Sequence, residues 1–253
     1  MISQNIPTPV RALAIGAHPD DIEFGAGATL AKWAANGCEV SLLICTDGSK
    51  GSWDPSTNTD KLAAIRKSEQ RVAADELGAI GEVVFLDYID GELHAGVKER
   101  DTIASWIRKL KPEVLLSHDP WKRYRLHPDH QNAGQLAIEG IVAARDPFFL
   151  TDSSLHPHRP SQLFLFEPEE CDHLETTDGY EKKKLKALES HKSQYVSTMG
   201  ITEGKETKGL EDFRERIKEE LSTFGDLTGV GMAEGFKRIT ELETVLPMHQ
   251  KDT

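Results

Sequence analysis

The stretch Val-Arg-Ala-Leu-Ala-Ile-Gly at residues 10–16 is followed at once by Ala-His-Pro-Asp-Asp at residues 17–21. A short apolar run that ends in glycine is typical of a buried strand, and here polar residues leave the strand at its C-terminal end. Four further apolar runs predict strands at residues 40–45, 83–86, 113–117 and 162–167. The sequence therefore predicts five strands, and the first of them ends in a polar turn.

Helical patterns separate or follow these strands, at residues 25–36, 60–77, 98–110, 130–144 and 180–191. Strands that alternate with helices of this length indicate βαβ units and a mostly parallel, doubly wound sheet. We predict an α/β fold with a strand order of about 3-2-1-4-5. Beyond residue 194 the chain is more polar, with an amphipathic helix near residues 211–223 and no clear strand. We therefore expect a core at residues 1–194 and a C-terminal extension at residues 195–253, packed on the core within a single domain.

The composition argues against several classes of protein. The 253 residues include 30 Lys and Arg against 42 Asp and Glu, a formal net charge of −12. Nucleic acids and anionic membranes would repel such a chain. We find no basic leader before an apolar segment at the start and no run of about 20 apolar residues. The three cysteines form no disulfide or metal-binding pattern. We expect a cytoplasmic protein with no nucleic-acid or membrane partner.

Two polar segments that follow predicted strands carry residues of the kind that bind metals. The first holds His18 and Asp21, and the second, after the fourth strand, is His-Pro-Asp-His at residues 127–130. Strands one and four are neighbours at the switch point of a 3-2-1-4-5 sheet, where open α/β sheets bind ligands. The two segments should therefore converge. Imidazole and carboxylate groups suit Zn²⁺, and Asp20 would stand beside the metal, free to accept a proton.

The alternative to a metal site is a structural cluster of hydrogen-bonded side chains. Gly25 and Gly27 also suggest a dinucleotide-binding turn. That pattern lacks its third glycine, and the carboxylates after the first strand would repel a pyrophosphate. We therefore expect neither nicotinamide nor flavin.

These segments resemble those of the LmbE-like, or PIG-L, zinc-dependent N-acetylglucosaminyl deacetylases, a family that includes deacetylases of the mycothiol and bacillithiol pathways. The resemblance covers residues 10–195. It is supported by Thr-Asp-Gly at residues 46–48, Arg66 with Glu69, Asp90 with Gly91, and His191 with Gln194. It implies a Rossmann-like fold and a bound Zn²⁺, with Fe²⁺ or another divalent ion as the alternative in the cell. It also favours a homo-oligomer.

The resemblance implies a role for each matching residue. These residues are the metal ligands His18, Asp21 and His130, the general base Asp20, the acid or oxyanion stabiliser His127, Asp129 as the residue that orients His127, and Arg66 and Asp90 as ligands of sugar hydroxyls. The implied chemistry is hydrolysis of an amide, in which Asp20 takes a proton from the attacking water and His127 acts in its protonated form.

Two further segments have both a functional and an ordinary interpretation. In the basic stretch Trp-Lys-Arg-Tyr-Arg at residues 121–125, Arg123 and Arg125 could bind a phosphate or carboxylate of the substrate. The alternative is a solvated loop that pairs with nearby aspartates. The loop at residues 49–59 could act as a lid with Trp53 stacked on a sugar, or be a surface loop.

The predicted activity is removal of an N-acyl group from a small amino-sugar conjugate, and the resemblance implies that this group is acetyl. One alternative is an amidase that acts on a thiol-sugar conjugate or a secondary-metabolite glycoside. Another is a zinc-containing sugar-binding protein without turnover. Pure binding requires neither the spare carboxylate of Asp20 nor the spare imidazole of His127, and their presence favours the enzyme.

Overall fold

The structure is a computed structural model that describes residues 2–240. Within this range one sheet contains the strands β1 (Ser3–Gln4), β2 (Arg11–Gly16), β3 (Glu39–Thr46), β4 (Val83–Tyr88), β5 (Val114–His118), β6 (Gln162–Phe166), β7 (His173–Thr176) and β8 (Ala233–Ile239). The α-helices are α1 (Asp21–Ala35), α2 (Thr59–Leu77), α3 (Val97–Leu110), α4 (Pro128–Arg145), α5 (Glu181–Glu189) and α6 (Glu206–Asp226).

The five strands predicted from the sequence form a continuous parallel part of the sheet in the order β4-β3-β2-β5-β6. This is the predicted order 3-2-1-4-5, and the predicted α/β fold with a mostly parallel, doubly wound sheet is confirmed. The strand β2 lies between β3 and β5. The chain reverses its direction of travel across the sheet between β4 and β5, so the switch point lies at the C-terminal ends of β2 and β5.

Helices cover both faces of this sheet, and the alternation of side chains along β2 shows why. Leu13 and Ile15 belong to the apolar cluster on the side of α3 and α4. Ala12 and Ala14 belong to the cluster on the other side, where Trp33 of α1 packs. A strand buried on both faces has no polar alternation, which is why the sequence showed continuous apolar runs.

The strand β8 contradicts the prediction that no strand follows residue 194. It lies between β6 and β7 and runs antiparallel to both. Its sequence, Ala-Glu-Gly-Phe-Lys-Arg-Ile, includes a buried charged residue, Glu234. The Glu234 carboxylate accepts hydrogen bonds from the backbone N–H groups of Ala28 and Thr29 and from Lys184 Nζ. Because an ion pair occupies an interior position, the strand lacks the apolar pattern that would predict it.

The helix α6 is longer than the predicted 211–223 and packs through Phe213, Ile217 and Leu221 against α5. The division at residue 194 remains a prediction, and residues 241–253 of the predicted extension lie outside the described residues. Among residues 2–240, no helix combines the length and the apolar character that crossing a bilayer requires.

Candidate metal centre and substrate cavity

The first polar segment forms a tight turn between β2 and α1. The backbone N–H of His18 donates to Asp21 Oδ2 at 2.7 Å, which closes the turn. Asp20, directly before α1, has φ +103°, in the left-handed region that disfavours residues other than glycine. Gln70 Oε1 accepts from the Asp20 N–H at 3.0 Å. Strained backbone of this kind, held by its surroundings, is common at functional sites.

The second segment begins α4 beside the end of β5. His127 is the N-cap residue, its Nδ1 accepts from the N–H of Asp129, and Pro128 occupies the first turn. His130 follows within that turn. Gly134 allows the helix to approach β5, since a Cβ there would lie 2.4 Å from the carbonyl oxygen of His118. A proline start and a close glycine contact therefore bring His130 to the first segment.

Donor atoms of three residues in the two segments face one another. His18 Nδ1 lies 3.2 Å from His130 Nε2 and 3.3 Å from Asp21 Oδ2, and His130 Nε2 lies 3.3 Å from Asp21 Oδ1. Ligands placed tetrahedrally at about 2.0–2.1 Å from an ion are about 3.3 Å apart. The predicted convergence is observed, and this donor set could hold a metal ion. The groups whose donor atoms all lie within 4.8 Å of one another divide these residues differently: they are His18 with His127 and His130, Asp21 with His118 and His130, and His18 with Asp90, His127 and Asp129.

The opposite nitrogen of His18 faces two carboxylates. His18 Nε2 lies 3.2 Å from Asp129 Oδ2 and 3.2 Å from Asp90 Oδ1. Burial lowers the pKa of His18, but hydrogen bonds to Asp129 and Asp21 outweigh it, so the pKa is raised well above the ordinary value. With Nε2 held by carboxylates, Nδ1 is the nitrogen left for a cation, as is common for histidine ligands of metals.

Asp129 is fully buried, and its carboxylate has hydrogen-bond partners besides His18. Its carboxylate accepts from the N–H groups of Gly91 and Leu93, at 2.7 and 3.2 Å. A ring nitrogen of His127 lies within 4.8 Å of the same carboxylate. Asp129 thus ties the loop after β4 to the candidate metal centre, a contact that its predicted role of orienting His127 did not include.

Asp20 is buried beside Arg66, with 3.3 Å between Asp20 Oδ2 and Arg66 Nη2. Burial raises the pKa of Asp20 to about 6, and the charge of Arg66 opposes that rise. Arg66 also donates from Nη1 to the carbonyl of Gly48. Burial lowers the pKa of His127, and the charges of His18 and His130 lower it further.

A cavity of about 360 Å³ opens over these residues. Its walls are His18, Asp20, Asp21, Lys50, Gly51, Ser52, Trp53, Arg66, Asp90, Gly91, His127, His130, Gln194, Ser197 and Thr198. Gln194 and Ser197 each donate a hydrogen bond to the carbonyl of Gly51. The loop predicted as a lid therefore rests on the chain that follows α5. The sequence analysis missed Ser197 and Thr198, which no motif marks.

Arg123 and Arg125 are absent from the walls of this cavity. Arg123 is largely exposed and pairs with Glu169, which fits the alternative of a solvated loop. Arg125 has a buried side chain that pairs with Glu167 and contacts the ring of His118. Both guanidinium groups form ion pairs with glutamates of the protein, so the anion-binding rim stays a prediction.

A family profile described as "PIG-L: GlcNAc-PI de-N-acetylase" matches residues 13–141. The chain belongs to the PIG-L family. The resemblance seen in the two His-Pro-Asp segments is thereby confirmed. A curated member, diacetylchitobiose deacetylase from Thermococcus kodakarensis, is 34% identical over 188 residues, which cover 73% of this chain and 70% of the relative.

Other PIG-L relatives agree with this assignment. The 1D-myo-inositol 2-acetamido-2-deoxy-alpha-D-glucopyranoside deacetylase of Streptomyces avermitilis is 32% identical over 164 residues, so the aligned region spans about half of that protein (55%). The structure of N,N'-diacetylchitobiose deacetylase from Pyrococcus horikoshii superposes with a TM-score of 0.82 at 30% identity, covering 92% of this chain and 85% of the other. These relatives are named as deacetylases of N-acetylated amino sugars, the class of enzyme that the sequence predicted.

Proposed function

We propose that this PIG-L protein is a zinc-dependent deacetylase that hydrolyses the N-acetyl group of an amino-sugar conjugate. The observation that carries the proposal is the set of 3.2–3.3 Å distances among His18 Nδ1, Asp21 and His130 Nε2. His18, Asp21 and His130 would supply three protein ligands, the number that catalytic rather than structural zinc sites use. Iron or another divalent ion remains the alternative, since ligand type alone does not decide metal identity.

Asp20 is the residue best placed to act as general base. When bound, the metal would supply Lewis acidity to a substrate carbonyl and to water. The Asp20 carboxyl lies on the cavity wall beside Asp21, and Arg66 holds it from its buried side. A carboxylate fixed in this way can take a proton from the attacking water and return it to the leaving amine.

His127 fits the role of oxyanion stabiliser in its neutral form. Its Nδ1 accepts a hydrogen bond from the N–H of Asp129, so the ring proton sits on Nε2. The ring lines the cavity. A neutral imidazole N–H can donate to the oxygen that gains charge in the transition state.

The substrate is proposed from the relatives and from the polar walls of the cavity. Diacetylchitobiose and an N-acetylglucosaminyl inositol are the substrates named for the relatives. A volume of about 360 Å³ is at the small end for ligand sites. Asp90 and Arg66, both on the wall, are the proposed partners of the sugar hydroxyls.

The test is acetate release from N-acetylglucosamine, diacetylchitobiose and an N-acetylglucosaminyl inositol, with and without prior metal removal. We expect turnover of at least one of them by the zinc-loaded protein and none after a chelator has removed the metal. Restoration by Zn²⁺ completes the test, and Fe²⁺ loaded without oxygen compares the two metals. Activity that a chelator leaves unchanged would contradict the proposal.

A further inference from the structure

The buried guanidinium of Arg125 contacts His118, and His118 contacts two of the proposed metal ligands. Arg125 Nη1 lies 3.0 Å from His118 Nδ1, and His118 Nε2 lies 3.2 Å from Asp21 Oδ2. The His118 ring is stacked on the ring of His130, with 4.4 Å between centroids and 9° between planes. His118 thus packs against both Asp21 and His130, and it is not among the residues that line the cavity.

The contact with Arg125 fixes where the proton of His118 resides. A guanidinium has only donors, so Nδ1 can be 3.0 Å from it only as an acceptor. A neutral imidazole with Nδ1 as acceptor carries its proton on Nε2. That N–H is then directed to Asp21 Oδ2. The backbone N–H of Ala17 is also directed to Nε2 at 3.4 Å, but the Asp21 oxygen, at 3.2 Å, is the nearer partner of this nitrogen.

Glu167 holds Arg125 in place. Glu167 Oε2 lies 3.0 Å from Arg125 Nη2, while its distance to His118 Nδ1 is 3.6 Å, too long for a hydrogen bond. Only 6% of the Arg125 side chain is exposed. The three residues come from the end of β5, the loop before α4 and the residue after β6, so folding of the sheet edge assembles them.

We propose that Arg125 and His118 are positioning residues for the metal centre: Arg125 sets the tautomer of His118, and His118 Nε2–H orients the Asp21 carboxylate. This inference rests on the proposed role of Asp21 and His130 as metal ligands. Hydrogen bonds to metal-ligating carboxylates raise metal affinity, and loss of such a partner typically costs about 10–100-fold. In this proposal Arg125, one residue of the basic segment, acts on the metal centre through His118.

Zinc affinity of the full-length protein, measured by competition with a chromogenic chelator and without substrate, tests the proposal. We expect Arg125→Met and His118→Leu each to weaken Zn²⁺ binding about tenfold or more. His118→Gln, which keeps a donor near the Nε2 position, should lose less than His118→Leu. The matched control is Arg100→Met, which removes another partly buried arginine, paired with Asp101 away from the cavity. It should leave zinc affinity unchanged.

The double variant decides whether Arg125 acts through His118. If it does, Arg125→Met adds no further loss of zinc affinity in a His118→Leu background. Additive losses, or unchanged affinity in Arg125→Met, would overturn the proposal even if the protein is a zinc deacetylase. If a variant does not fold, ¹⁵N NMR of His118 in the metal-free wild-type protein still gives an answer. The Nε2–H tautomer is expected, and the Nδ1–H tautomer would overturn the inference. Failure of the wild-type protein to bind zinc would instead refute the proposed function.

Discussion

Asp20 and Arg66 form an ion pair inside the protein, with 3.3 Å between Oδ2 and Nη2 and side chains that are only 5% and 4% exposed. Burial raises the pKa of the carboxyl, and the guanidinium keeps that rise to a value of about 6. Burial and the neighbouring guanidinium thus shift the pKa of Asp20 in opposite directions. The carboxylate is held on the wall of the cavity, and its charge is balanced from the protein side rather than by solvent.

Asp20→Asn should separate chemistry from metal binding. The amide cannot take a proton from water, so kcat/KM should fall by about 10²–10⁴-fold, the usual contribution of a general base. Zinc content and zinc affinity should stay near wild type, because Asp20 is outside the proposed ligand set. The control is Asp87→Asn, an exposed aspartate paired with Lys67. Full turnover by zinc-loaded Asp20→Asn would remove Asp20 from the mechanism.

Zinc should stabilise the folded protein. At a free concentration 100 times Kd, a ligand that binds only the folded state adds about 2.7 kcal/mol. Differential scanning calorimetry of metal-free protein should therefore show a thermal midpoint that rises with Zn²⁺. In His130→Ala, which removes one of the facing donor atoms, this rise should largely disappear. An equal rise in the wild-type protein and in His130→Ala would place the ion elsewhere.

Trp53→Ala should affect substrate binding more than turnover. Trp53 lines the cavity and yet is 81% exposed, so its ring is available to stack on a sugar. We expect a several-fold rise in KM for a disaccharide substrate with kcat nearly unchanged. Phe148→Ala is the control, since Phe148 is 86% exposed and is not among the cavity walls. Identical KM values for wild type and Trp53→Ala would assign the loop to the surface.

The buried pair of Lys184 and Glu234 should contribute to the free energy of unfolding and not to metal binding. The two side chains are 2% and 3% exposed, with 2.7 Å between Lys184 Nζ and Glu234 Oε1. Glu234→Gln leaves the ammonium without its counter-charge, so the free energy of unfolding should fall by about 3–5 kcal/mol. Asp212→Asn, which breaks the exposed pair with Lys208, should cost less than about 1 kcal/mol. Urea unfolding of both variants measures the difference.

The parallel part of the sheet could be predicted because its strands are buried on both faces. Runs such as residues 10–16 and 40–45 are continuous and apolar, and segments with helical spacing of apolar residues separate the strands. Gly78, predicted to end α2, has φ +78° and does so. The convergence of the segments that contain His18 and His130 could be predicted from strand order, since the C-terminal ends of adjacent parallel strands lie side by side.

Side-chain direction within a loop could not be predicted. Arg123 and Arg125 are two residues apart in a basic segment, yet one is exposed and the other is buried behind His118. Composition indicates charge but not which partner neutralises it. In the same way Ser197 and Thr198 reach the cavity only because the chain after α5 turns back over the loop that contains Gly51.

The position of β8 has a consequence for biosynthesis. It is the strand described latest along the chain, and it fills the gap between β6 and β7. A nascent chain that already contains both His-Pro-Asp segments but not yet β8 leaves one edge of β6 and one edge of β7 unpaired. Such edges favour association with other chains until β8 has been synthesised. A message that is cut short before residue 233 would therefore encode every proposed metal ligand and still give a polypeptide prone to aggregate.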